Sequence, residues 1–273
     1  MSPHTRSSIR PLVGLIVTLA VSNLQAEEPV RTLNAAFLNY PPMAYLDANG
    51  TAAGSVIELT NRVAAESGLQ IKWKLYPIRR IYKGLSTGEI DFWPGSQAVP
   101  ALSEFTYDTP TIGIDITLCA FSLGNAPTIT APQDLSHHRL VLIRGYTYRT
   151  QLDRIFAESE HKPIVAPDHE AALELLTMGR ADYLVSYNDP IGQVLRDNPL
   201  TGSRCDLLDT WPLVYVVSKH IPDSQRVLAA LTEGLDRVSA STPRPEPSDA
   251  IEQSLVGRET AGKEMAQQDK SAE

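Results

Sequence analysis

The chain has 273 residues, 24 of them basic and 32 acidic, for a formal net charge of −8, which excludes a nucleic-acid binder that must neutralise phosphates with a basic surface. With 42% apolar and 21% charged residues the composition is globular, and the length suits two domains or one large one. The two cysteines form no Cys-x-x-Cys pattern, leaving neither a disulfide scaffold nor a structural zinc site.

Residues 1–26 read as a secretory signal. Arg6 and Arg10 form a basic start, and Pro11–Val21 is an apolar run too short to span a bilayer. Ala26 then offers a small residue for cleavage before Glu27 and Glu28. No cysteine follows for a lipid anchor, and no later stretch is apolar for the ~20 residues of a membrane helix. Cleavage removes two arginines and no acids, so −8 minus 2 gives −10 for the mature chain. The expected location is the periplasm, as a soluble monomer. Export allows Cys119 and Cys205 to pair, which would stabilise the fold by ~4–5 kcal/mol in the chain-entropy model. Two buried free thiols are the equal alternative.

The mature chain alternates strands and helices. Leu33–Leu38 predicts a strand, followed by Tyr40-Pro41-Pro42 and an Asn49-Gly50 turn. Ser55-x-x-Glu58 reads as a capping box opening a helix that buries Val56, Leu59 and Val63 and stops at Gly68. Gln70–Tyr76 alternates as a half-buried strand. Ile78–Thr87 predicts a helix with Ile78, Ile81 and Leu85 inward, closed by Gly88. A strand at Ile90–Trp93 and a β-like run at Ile114–Phe121 follow. Further on, strands are expected at Leu140–Ile143, Ile164–Ala166, Asp182–Tyr187 and around Leu213–Ser218. Helices are expected at Tyr148–Phe156, at His169–Met178, from Pro190, and from an Asp223 cap to about Val238. Residues 241–273 read as a polar tail. One echo stands out: Leu85-x-x-Gly88-x-x-Asp91 recurs as Leu176-x-x-Gly179-x-x-Asp182. Each pairs the last apolar turn of a helix with a left-handed glycine and an aspartate before a buried strand, suggesting two similar α/β halves.

Tyr40-Pro41-Pro42-Met43, Gly54–Leu59, Leu85–Asp91, Phe105–Pro110 and Leu142–Thr147 together resemble the family 3 periplasmic solute-binding proteins, the amino-acid-binding receptors of ABC importers. The resemblance runs over about residues 30–240. It implies the type 2 periplasmic binding fold, α/β, with two Rossmann-like lobes joined by two crossover strands and closing on a small molecule. Lobe 1 would be 30–117 plus 215–240, and lobe 2 would be 118–214.

Carried over one by one, Tyr40 matches the aromatic that packs on the ligand and Ser96 a serine-rich loop facing it. Thr147 matches the threonine that caps a ligand carboxylate. Two departures dismantle the family's zwitterion clamp. Gln97–Glu104 contains no arginine to fork a carboxylate, Ser103 standing near its place. The ammonium-pairing aspartate falls at Tyr187, with Asp189 nearby either serving in its stead or capping a helix. Arg79, Arg80, Arg144 and Arg149 are expected around the cleft and favour an anionic ligand. Trp93, Tyr146 and Tyr187 are candidates to stack on a ring or a cationic group.

The leading expectation is a non-catalytic receptor that delivers a small polar, anionic molecule to a membrane permease, with no cofactor, metal or nucleic acid. One alternative is an enzyme on the same fold, since periplasmic cyclohexadienyl dehydratases are similar to these receptors. Glu104, Asp108 and Asp115 form no convincing acid–base pair, however, and His137, His138 and His169 are dispersed. The other alternative is an accessory or sensory protein docking on a membrane sensor or an oxidoreductase.

Overall fold

A computed structural model of the chain describes residues 30–241. The expected signal segment and the tail from residue 242 onward lie outside the described residues. In chain order the elements are β1 (Arg31–Phe37), β2 (Tyr45–Leu46), β3 (Ala52–Ala53), α1 (Ser55–Glu66), β4 (Leu69–Leu75), α2 (Ile78–Thr87) and β5 (Phe92–Ser96). The long β6 (Thr106–Leu123) leads into β7 (Leu140–Ile143), α3 (Arg149–Ala157), β8 (Ile164–Ala166), α4 (His169–Thr177), β9 (Tyr183–Tyr187) and α5 (Asn188–Asp197). The equally long β10 (Ser203–Ser218) returns the chain to α6 (Ser224–Ser241).

The strands form one sheet in the order β4-β1-β5-β10-β6-β9-β7-β8, with β2 and β3 as a separate pair. Lobe 1 holds the parallel trio β4-β1-β5, and lobe 2 the parallel trio β8-β7-β9. Each trio runs second strand, first strand, third strand, so the two lobes repeat one winding. β6 and β10 pair antiparallel from Thr106–Ser218 to Leu123–Ser203 and pass through both lobes. The expectation of two α/β lobes on two crossover strands therefore holds. These two strands are much longer than Ile114–Phe121 and Leu213–Ser218 predicted. Pro110, Gly113 and Pro212 read locally as breaks, but the ladder absorbs them as register shifts.

The helices form where apolar spacing allows a buried stripe. α2 buries Ile78, Ile81 and Leu85 against Ile90, Trp93 and Val214. α1 buries Val56, Ile57 and Val63, and α6 buries Val227, Leu231 and Leu235. α6 crosses α1 at Gly234, where a Cβ would stand 2.6 Å from the Val63 carbonyl oxygen. The expected capping box is not formed: Ser55 is the first helical residue, and Gly54 holds the N-cap position without a side-chain bond. Asp223 precedes α6 at φ 53° and faces Arg31 at 4.0 Å.

The internal echo has a structural meaning. Gly88 and Gly179 both take left-handed conformations, at φ 77° and 66°. Each following aspartate clasps the backbone of its lobe's first strand from both sides. Asp91 donates its N–H to the Asn34 carbonyl (2.8 Å) while its carboxylate accepts from the Asn34 N–H. Asp182 does the same with Arg139, at 2.8 Å in both directions, and its carboxylate also binds the Arg139 guanidinium.

The Arg139 hydrogen bond holds the Asp182 carboxyl below the ordinary carboxylate range. A depressed folded value means stability that is present above the unfolded pKa, about 3.9, and lost as pH falls through the folded one. Asp182→Asn is therefore expected to cost roughly 1–2 kcal/mol at neutral pH in urea unfolding, with the gap to wild type narrowing below about pH 4.

Cys119 and Cys205 are bonded, with Cα atoms 5.4 Å apart across β6 and β10. The bond closes an 86-residue separation. The double Cys→Ser variant should lose about 4 kcal/mol in denaturant unfolding, and unreduced wild type should show no titratable thiol when unfolded. Two free thiols would contradict the bond.

Candidate functional site

In open α/β sheets a ligand sits outside the carboxyl ends of the strands, where successive crossovers diverge. Here the ends of β1, β5, β7 and β9 converge from both lobes on one cavity of about 80 Å³. The chain leaving β1 supplies Tyr40, β5 supplies Trp93 to Ser96, and the loop after β7 supplies Gly145 to Thr147. β9 ends in Tyr187, and α2 adds Ile78 and Tyr82.

Each group is positioned by local backbone chemistry. Tyr40 begins a tight turn in which its N–H donates to the Ala44 carbonyl (2.7 Å) and its carbonyl accepts from Ala44 (2.9 Å). That turn rests on α1, where the Val56 N–H donates to the Met43 carbonyl (3.0 Å). Gly54 passes beneath at φ 112°, and a Cβ there would stand 2.4 Å from the Met43 oxygen, so only glycine fits. In lobe 2 the Tyr187 hydroxyl donates to the Thr147 carbonyl (2.7 Å), and the Ile143 N–H donates to the Tyr148 hydroxyl (2.8 Å). These bonds tie the Gly145–Thr147 loop to β7 and β9. The Trp211 indole N–H donates to the Ser96 hydroxyl at 2.9 Å. Gly95 lets the Trp93 ring lie flat on the backbone, where a Cβ would be 2.2 Å from the indole.

The lobes are shut on each other. The Tyr40 ring of lobe 1 lies 5.6 Å from Tyr187 and 6.4 Å from Tyr146 of lobe 2, centre to centre. Tyr82 of lobe 1 and Thr147 of lobe 2 line the same two cavities from opposite sides of the gap. Within this junction the Tyr40 hydroxyl, the Tyr146 hydroxyl and the Trp93 indole N–H are buried with no hydrogen-bond partner in the protein. Each such group costs about 1–3 kcal/mol while unpaired, a cost that a bound molecule with matching polar atoms removes. Burial pushes both phenols well above the ordinary tyrosine range, and for Tyr40 the nearby Asp189 carboxylate adds to it. At neutral pH they are neutral hydroxyls rather than phenolates.

Of the residues singled out from the sequence, Tyr40, Ser96, Thr147 and Tyr187 line the cavity, as do Trp93 and Tyr146. Asp189 sits behind Tyr40, in the first turn of α5 rather than at its cap, and burial raises its pKa. Of the expected arginines, the Arg149 side chain lies outside the described residues. Arg79, Arg80 and Arg144 are exposed and line neither the inner cavity nor the outer one described below. Arg80 pairs with Glu89 and lies 5.5 Å from the Tyr76 ring centre. The reason is helical geometry: residues one and two places after Ile78 turn about 100° and 200° from the buried stripe. Tyr82, a full turn after Ile78, returns to the cleft. It was missed, although the Ile78-x-x-x-Tyr82 spacing carries the signal. Met43 and Trp211 were also missed, and their neighbourhood gives no comparable pattern.

A second, larger cavity of about 740 Å³ adjoins the first and shares Tyr82, Ser96, Thr147 and Tyr187 with it. Its outer wall includes Gln97, Ala101, Gln151, Asp153, Asp209 and Trp211.

The packing of Tyr40 on Tyr146 and Tyr187 is among the contacts that hold the lobes shut. Tyr40→Ala should weaken the closed state by about 1 kcal/mol, a roughly five-fold shift in the open–closed ratio, read as a larger radius of gyration in solution scattering. An unchanged radius would remove Tyr40 from the closing contacts.

The model of the bacterial extracellular solute-binding proteins, family 3, matches residues 34–101. No curated protein matches the chain in sequence. Among solved structures, a histidine kinase sensor domain with similarity to periplasmic binding proteins is 23% identical, with a TM-score of 0.64 over 78% of this chain and 91% of that one. An ancestral arginine-binding protein bound to arginine is 18% identical, with a TM-score of 0.62 over 77% and 93%. An ancestral amino-acid-binding protein, a precursor of cyclohexadienyl dehydratase, is also 18% identical, with a TM-score of 0.61 over 77% and 90%. The chain has the type 2 periplasmic binding fold, and the resemblance to family 3 read from its sequence stands.

Proposed function

We propose that this chain is an exported, non-catalytic receptor whose two lobes close on a small molecule and present the shut form to an ABC importer in the membrane. The observation that carries the reading is a cavity walled by both lobes, in which three buried polar groups lack partners. A molecule contacting both walls favours the shut state by its differential affinity, which is how such a receptor signals occupancy. No carboxylate, imidazole or amine lines the inner cavity among the described residues, and its phenols titrate too high to act as bases near neutral pH. Arg79, Arg80 and Arg144 reach neither cavity, so these three give no support to the anionic ligand expected from the sequence. An uncharged or cationic ligand with hydrogen-bonding atoms suits these walls better.

A second reading has its own support: the likeness to a histidine kinase sensor domain, over most of that domain. On that reading the shut lobes dock on a membrane sensor instead of a permease. Pull-down of a permease rather than a kinase by the liganded chain separates the two.

The test uses the mature chain, whose N-terminal sequence should begin at Glu27 in protein recovered from the periplasm. Thermal shift over amino acids, polyamines, carboxylates and aromatic acids and amines should find a binder that raises the midpoint. At 100 times its Kd the gain is about 2.7 kcal/mol. The same compound should reduce the radius of gyration in solution scattering. Binding with no change in radius, or turnover of prephenate or arogenate, would overturn the receptor reading.

A further inference from the structure

We infer that the ligand is an arylalkylammonium, a flat ring joined to an ammonium group and carrying no carboxylate. This rests on the receptor reading and narrows its ligand to one chemical class.

The inner cavity sets the ring. Tyr40, Tyr82, Trp93, Tyr146 and Tyr187 wall it, and the remainder is mostly aliphatic. No fixed charge lies among the described walls, so an anion placed there would be desolvated without a counter-ion from them. A ring is received by the aromatic faces and edges. Tyr40 and Trp93 are only 8% and 4% exposed, and their hydroxyl and indole N–H have no partner. The indole can only donate, so the ring must offer an acceptor, such as a phenolic oxygen or its own π-face.

The outer cavity sets the charge. It adjoins the inner one across Tyr82, Ser96, Thr147 and Tyr187, and the charged residues on its described lining are Asp153 and Asp209 alone. Among the described residues no lysine or arginine lines it, and Gln97 and Gln151 supply neutral amides beside the carboxylates. Partial burial raises the pKa of Asp153, an effect that a neighbouring ammonium offsets. An α-carboxylate on the same carbon would meet these two acids without a basic partner among the described residues, which disfavours an amino acid. The charge of −10 on the mature chain, from −8 less two arginines, draws cations toward the cleft.

Four compounds with one ring and different tails test this on the mature chain by calorimetry: tyramine, tyrosol, 3-(4-hydroxyphenyl)propionate and tyrosine. Tyramine should bind about three- to ten-fold more tightly than neutral tyrosol, the scale of a partly exposed ion pair. The propionate and tyrosine should bind at least ten-fold more weakly than tyramine. In the Asp153→Asn, Asp209→Asn double variant, the tyramine advantage should fall to within two-fold, with tyrosol affinity and the circular dichroism spectrum unchanged. Failure of tyramine to bind, tighter binding of the propionate or tyrosine, or a full advantage retained in the double variant would overturn the inference. Scattering keeps the two readings apart. Lobe closure on tyrosine or the propionate alone leaves the receptor reading standing without this one, whereas tyramine bound without closure keeps the ligand class and removes the receptor reading.

Discussion

The antiparallel pairing of β6 with β10 is the constraint on which the architecture depends. It makes a single sheet of two lobes, because every other strand pairs within its own lobe or onto one of these two. The ladder is irregular between Leu207 and Val216, with shifts at Leu207/Asp209, Pro212/Val214 and Val214/Val216. Bulges bend a strand and raise its local twist, and Pro212 has no N–H to give to the ladder. The chain is thus least firmly held where it passes between the lobes. The Cys119–Cys205 bond fixes the two strands to each other on the lobe 2 side of that stretch. Within each lobe, the clasp of Asp91 on Asn34 or of Asp182 on Arg139 sets the third strand against the first.

The cleft follows from this arrangement, since both parallel trios point their carboxyl ends toward the same junction. What fills the junction is tyrosine and tryptophan rather than charge. Tyr40, Tyr146 and Tyr187 meet with centres 5.3 to 6.4 Å apart, an ordinary range for packed aromatic pairs. The apolar bodies of these rings favour closure, while their unpartnered polar tips oppose it. A site poised between those two terms is sensitive to a molecule that satisfies the tips. Asp153 and Asp209 stand outward, on the wall of the larger adjoining cavity.

Much of the fold was legible locally. The α2 boundaries follow from the Ile78, Ile81 and Leu85 stripe and the Gly88 stop, and β7 and β8 from short apolar runs between polar turns. The repeated Leu-x-x-Gly-x-x-Asp marked equivalent junctions because both lobes solve the same problem: ending a helix and entering a buried strand. Tyr40, Ser96 and Thr147 were found through a resemblance at positions that turns and strand ends fix closely. The capping box at Ser55 failed because the Tyr40–Ala44 turn packs onto the start of α1 and Gly54 takes the cap position. Arg79 and Arg80 face solvent because being near a cleft in sequence does not say which side of a helix faces it.

By itself the sequence determined the alternation of strands and helices and the duplicated lobe. These are written in spacing and residue type, which act over one or two turns of chain. Only the tertiary structure decided how far β6 and β10 extend, that Tyr82 and Thr147 face one cavity from opposite lobes, and that the polar tips of Tyr40, Trp93 and Tyr146 are buried around it. Those features depend on contacts between segments far apart in sequence, whose free energy exists only once both lobes are assembled and shut.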